Sequence, residues 1–155
     1  MRNKRPQTGF TMIELIMVLV LLGVLAVFVA PRMSNADFNA RGFHDGTLAL
    51  LRYAQKTAIA QRRAVCVAFT AGTATLSIAT VEAVTNCTAV LMGPRGESPA
   101  SINAGNGITY LATPAGFFFN ALGQPSVGQS LQVAKDGTAI GLTIIVEAET
   151  GYVHD

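Results

Sequence analysis

The sequence predicts an α+β chain. A long N-terminal helix, membrane-spanning in its first half and amphipathic in its second, packs on a C-terminal antiparallel β-sheet domain. Three observations predict it. Phe10 to Ala30 is a run of twenty-one residues in which only Thr11 and Glu14 are polar. From Thr47 to Arg63 apolar residues recur at spacings of three and four. From Ala64 onward the period drops to two and turn residues punctuate the chain.

The apolar run comes first. As a helix its twenty-one residues reach about 31 Å at roughly 1.5 Å each, which matches a bilayer core of about 30 Å. Apolarity on every face demands burial on every face, which argues against an ordinary soluble helix. A secretory signal peptide has a shorter apolar core and a small-residue cleavage site, which Val29-Ala30-Pro31 matches poorly. A plain single-pass anchor accounts for the length and for Arg2, Lys4 and Arg5, but not for Glu14. A carboxylate there is unfavourable by a few kcal/mol unless it is neutralised or paired, so Glu14 is a candidate functional residue.

Gly9-Phe10-Thr11-Met12-Ile13-Glu14-Leu15, after a basic leader and before a long apolar helix, resembles the class III signal of type IV pilins and type II secretion pseudopilins. The resemblance implies a pilin-like fold and cleavage between Gly9 and Phe10 by a prepilin peptidase, followed by N-methylation of Phe10. It also implies that Glu14 pairs with the terminal amine of a neighbouring pilin subunit inside a filament, which makes a buried carboxylate tolerable. The expected organisation is a cytoplasmic leader (1–9), a transmembrane and filament-core helix (10–31), an amphipathic second half (32–63) and a periplasmic β-rich domain (64–155).

Charge supports this layout. The formal net charge of +2 includes Arg2, Lys4 and Arg5; from Arg32 onward eight basic residues face eight acidic ones. A neutral body is not the balance of a nucleic-acid-binding protein. The leader cations keep the amino terminus cytoplasmic, so an inner-membrane protein with a periplasmic body is expected. That compartment is oxidising.

Pro31 predicts a kink or break between Val27 and Pro31. Arg32 to Gly42 is weakly patterned, and Gly42 and Gly46 are poor helix formers. Helix is clear from Thr47, with Leu48, Leu51, Ala54 or Gln55, Ala58 and Ile59 on one face. Arg52, Lys56, Arg62 and Arg63 lie on its polar side or in its last turn, where cations suit the helix dipole. Phe43 to Arg62 resembles the second half of the long helix in H-type pseudopilins and FimT-like minor pilins, and especially the related minor pilin of mannose-sensitive haemagglutinin pili. Strands are expected at Ala64–Thr70 and Thr73–Thr80 around Ala71-Gly72, then at Thr88–Met92, Gly107–Ala112 and Gly116–Asn120. Gly93–Asn106 and Ala121–Gly128 read as loops. Ser130–Ala134 and Ala139–Glu147 form a hairpin on Asp136-Gly137, and Thr150-Gly151 turns into Tyr152-Val153.

Cys66 and Cys87 bracket the first hairpin with twenty residues between them. Two cysteines in an exported domain point to one disulfide. A redox pair would need C-x-x-C, and His44 and His154 lack the spacing of zinc ligands and read as ordinary polar residues, so neither a metal nor any other cofactor is expected. No hydrolase or phosphate-loop motif occurs, and Glu147 and Glu149, two residues apart on one face of a strand, read as solvent-facing, so no enzyme is expected. The expected function is that of a low-abundance minor pilin or pseudopilin in a type IV pilus or type II secretion pseudopilus. The alternatives are a DNA-binding FimT-like minor pilin and a membrane-anchored periplasmic protein outside any filament. The tail Glu147–Asp155 has no Arg and a surplus of acid, which counts against a nucleic-acid partner.

Overall fold

The computed structural model describes residues 10–29 and 35–155. Gly9, the leader and positions 30–31 of the break expected between Val27 and Pro31 lie outside the described residues; the chain is helical up to Val29. The chain divides after Ser34 into two compact units. The second unit, Asn35–Asp155, holds both a helix and the strands.

In the first unit, helix α1 spans Met12–Val29. It starts two residues later than the apolar run, because Thr11 caps it. Thr11 Oγ1 accepts from the Glu14 N–H at 3.3 Å, and its carbonyl accepts from the N–H groups of Glu14 and Leu15 at 3.1 and 3.2 Å. Apolar side chains are exposed all around this helix; even Val18 keeps 45% of its surface open. Eighteen residues reach about 27 Å against a bilayer core of about 30 Å. Among the described residues no helix is long and apolar enough to cross a membrane.

In the second unit, helix α2 runs unbroken over Asn35–Gln61. The weak pattern before Gly42 gave no clear helix there, and tertiary packing supplies what local propensity lacks. Ala40, Phe43, Thr47, Leu51, Ala54 and Ala58 form a buried stripe at three- and four-residue spacing. A glycine costs about 1 kcal/mol in a helix interior, but a Cβ on Gly46 would meet the Ile102 side chain, so this glycine admits a neighbouring strand. Ile59, expected on the apolar face, is half exposed at 49%. The helix ends in a Schellman motif: Arg63 N–H donates to the Ala58 carbonyl and Arg62 N–H to that of Ile59, with Arg62 left-handed at φ 51°.

The strands are β1 (Val65–Thr70), β2 (Thr73–Ile78), β3 (Ala89–Val90), β4 (Ser101–Asn103), β5 (Ile108–Tyr110), β6 (Phe117–Phe119), β7 (Gln129–Lys135), β8 (Thr138–Val146) and β9 (Val153–His154). They form two antiparallel sheets: β3-β2-β1-β6 with β4 also on β2, and β5-β7-β8-β9. A backbone bond from the Tyr110 N–H to the Ala71 carbonyl joins the first hairpin to the second sheet, while one from the Ala104 N–H to the Gly72 carbonyl extends the pairing of β4 with the hairpin. β4 falls inside the expected Gly93–Asn106 loop; three residues in register with Thr73–Thr75 leave no local signal. Asp136-Gly137 makes the expected tight turn, both residues at positive φ (49° and 79°) as a type I′ turn requires.

α2 lies across both sheets, and the core fills with Leu51, Leu76, Phe119, Leu131 and Ile144. Ring contacts run from Phe43 through Tyr110, Phe69 and Phe117 to Phe119, with centroids 5.0 to 6.2 Å apart. Thr47 Oγ1 donates to the Phe43 carbonyl at 2.8 Å, which leaves the Tyr110 hydroxyl to donate to Thr47 at 3.1 Å. Burial pushes the Tyr110 pKa up to about 12, so the phenol remains a donor. His44, read from sequence as an ordinary polar residue, is buried, with Nδ1 3.0 Å from Asp45 Oδ1.

Candidate assembly site

Phe10, Thr11 and Glu14 converge on the start of α1. Thr11 is the N-cap and Glu14 the third helical residue, the S/T-x-x-E spacing of a capping box. That spacing is legible in the sequence but escaped the reading of it. An acid in the first turn of a helix is favoured by roughly 0.3–1 kcal/mol through the helix dipole. This offsets only part of the penalty of placing a carboxylate in an apolar setting. Glu14 is exposed, and its carboxylate has no partner among the described residues. Phe10 is 85% exposed, and Gly9 lies outside the described residues. The arrangement offers one exposed carboxylate among apolar side chains.

Cys66 and Cys87 are joined in a disulfide, as the sequence suggested, with Cα atoms 5.9 Å apart. It ties the end of the Thr80–Thr88 segment to β1. Arg63 holds the other end through bonds to the Ala79 and Thr80 carbonyls at 3.4 and 3.3 Å.

Glu147 and Glu149 do not share a strand, because β8 stops at Val146 and a turn follows. The backbone bonds Gly151 N–H to Glu147 O and Glu147 N–H to Tyr152 O close that turn. Glu147 Oε1 instead lies 3.0 Å from His154 Nε2, and Tyr152 stacks on the imidazole with centroids 5.1 Å apart. The Glu147 hydrogen bond, then the Asp155 carbonyl, raise the His154 pKa above its usual 6.5. A raised pKa contributes stability that is full below the unfolded value and is lost as pH rises through the folded one. Glu147→Gln should therefore lower the His154 pKa toward 6.5 in an NMR titration of the ring protons; an unchanged midpoint would contradict the pairing. Among the described residues no group of three or more His, Cys, Asp or Glu could hold a metal ion.

The family model of the prokaryotic N-terminal methylation motif matches residues 4–30, which include Glu14. Over 33 residues the chain is 52% identical to the type II secretion system core protein G of Vibrio cholerae serotype O1, covering 21% of this chain and 23% of that protein. It thus matches under a quarter of that curated relative's length. A crystal structure of the type IV minor pilin FimU of Pseudomonas aeruginosa is similar in fold, with a TM-score of 0.53 and 17% identity. That likeness covers 77% of this chain and 87% of FimU. A second crystal form of FimU gives a TM-score of 0.49 at 13% identity, covering 75% and 88%. The amino-terminal segment thus matches the methylation motif, and the fold of the chain is similar to that of a type IV minor pilin.

Proposed function

We propose that the protein is a minor pilin or pseudopilin, a low-copy structural subunit that is cleaved after Gly9, methylated on Phe10 and assembled through its apolar helix. The observation that carries this reading is a Glu14 carboxylate with no partner among the described residues, on a helix whose described apolar side chains are exposed. Before assembly the apolar segment anchors the subunit in the inner membrane. Arg2, Lys4 and Arg5 hold the amino terminus in the cytoplasm and the body in the periplasm. In the filament, Glu14 accepts the charge of a neighbour's new terminal amine, and helices of adjacent subunits cover one another. The role is structural, and the prepilin peptidase and other pilin subunits are its partners.

Mass analysis of the protein from its native membrane tests this. The expected polypeptide begins at a methylated Phe10, and Gly9→Val should retain the leader. A native polypeptide beginning at Met1 would overturn the proposal.

A further inference from the structure

The end of α2, the Thr80–Thr88 segment and the turn after β6 border an open surface cavity of about 210 Å³ that the assembly reading does not use. Arg62, Ala64, Ala83, Val84, Ala121 and Leu122 line it. Three features mark it out.

The first is the backbone. Among the described residues only three that are not glycine have positive φ. Arg62 (51°) and Ala83 (63°) both line this cavity, while Asp136 sits in the hairpin turn. At Arg62 the Schellman motif that ends α2 accounts for it; at Ala83 such backbone persists because its surroundings over-determine it.

The second is rigidity. The disulfide and Arg63 fasten one wall at both ends. In the other wall Asn120 Oδ1 accepts from the N–H groups of Leu122 and Gln124 at 2.9 and 3.0 Å, and Gln55 Nε2 donates to the Gly123 carbonyl at 3.2 Å. A site fixed in advance loses less freedom when it is filled.

The third is what the rigid walls leave open. Leu122 is 77% and Val84 39% exposed, and the Arg62 guanidinium has no partner among the described residues.

We propose that this cavity docks a segment of another polypeptide in which a branched aliphatic residue is followed by an acidic one. The aliphatic side chain lies between Val84 and Leu122, and the carboxylate meets Arg62. One unpaired cation beside apolar walls is complementary to one carboxylate. The volume is below the roughly 300–1,000 Å³ of small-molecule sites, so it suits a single side chain rather than a cofactor.

The test titrates the isotope-labelled full chain, in detergent micelles, with acetyl-Ala-Leu-Glu-amide up to about 10 mM, followed by NMR. The expected Kd is about 1 mM, with shifts confined to Ala64, Val84, Leu122 and their neighbours. Gln in place of the peptide's Glu should weaken binding about threefold, the scale of an exposed ion pair. Ser in place of its Leu should abolish it. Arg62→Gly suits the left-handed position better than arginine, so its Tm should rise while the Glu and Gln peptides become equivalent. Arg62→Lys should keep the discrimination. Absence of shifts, equal binding of the two peptides to the unaltered protein, or loss of discrimination in Arg62→Lys would overturn the proposal. So would equal shifts from hexanoate alone, which mark an acyl site. The same shifts on concentrating the protein without peptide would assign the cavity to a second copy and also overturn it.

Discussion

Replacing Glu14 with alanine should leave the protein in the membrane and keep it out of the filament. In the lone subunit the carboxylate is a liability, worth up to about 3 kcal/mol against insertion at the centre of a span and less near its end. Its removal therefore costs the membrane-bound form nothing. In the filament the balance reverses. On the proposed pairing, taking away one member of a buried pair leaves a neighbour's amine without a counter-charge, at a cost of about 3–5 kcal/mol, or roughly 10²- to 5 × 10³-fold in the equilibrium for incorporation. Comparing the sheared filament fraction with the membrane fraction reads both effects in one experiment. Glu14→Gln separates charge from size, because it keeps the side-chain length and should fail like alanine. Incorporation of either variant at the normal level would remove Glu14 from the assembly mechanism, even with leader cleavage intact.

What the sequence showed and what it hid follow from the range of the interactions involved. Periodicity is local, so β1, β2, β6, β7 and β8 and the later turns of α2 were visible, as was Asp136-Gly137, whose turn depends on its two residues alone. The first turns of α2 were not visible. Gly42 and Gly46 argue against helix locally, and the packing of Ala40 and Phe43, with Ile102 set against Gly46, lies some sixty residues away in the chain. β4 was hidden for the same reason, since only its pairing with β2 makes it a strand. Glu147 and Glu149 looked like neighbours on one face because nothing local announced that β8 ends at Val146. At the candidate site Glu14 stood out as one charge in an apolar run. Thr11, three residues before it, carried a readable capping signal that the eye passes over beside so strong a hydrophobic pattern. Arg62 was assigned to the helix dipole, whereas the structure makes it the left-handed residue that ends α2. A non-glycine residue at that position gives no warning in the sequence.

Serine at both Cys66 and Cys87 should lower the stability of the β-rich unit by about 3 kcal/mol, the chain-entropy value for a closed loop with a sequence separation of 21. For a unit of this size that is a fall in Tm of about 10 °C, measurable by thermal unfolding in detergent. The damage should also be uneven. Arg63 still grips the Ala79 and Thr80 carbonyls in the variant, so one end of the Thr80–Thr88 segment remains tied while the Cys87 end comes free. Amides from Val81 to Thr88 should then exchange with solvent through local opening, while β1 and β7 still exchange only through global unfolding. A loss below about 1 kcal/mol would mean that the reduced, unfolded chain is already as restricted as the oxidised one, which removes the entropic argument. Protection unchanged in the segment would show that Arg63 and local packing position it without the disulfide. The cavity beside Leu122 would then owe its shape to the helix end alone.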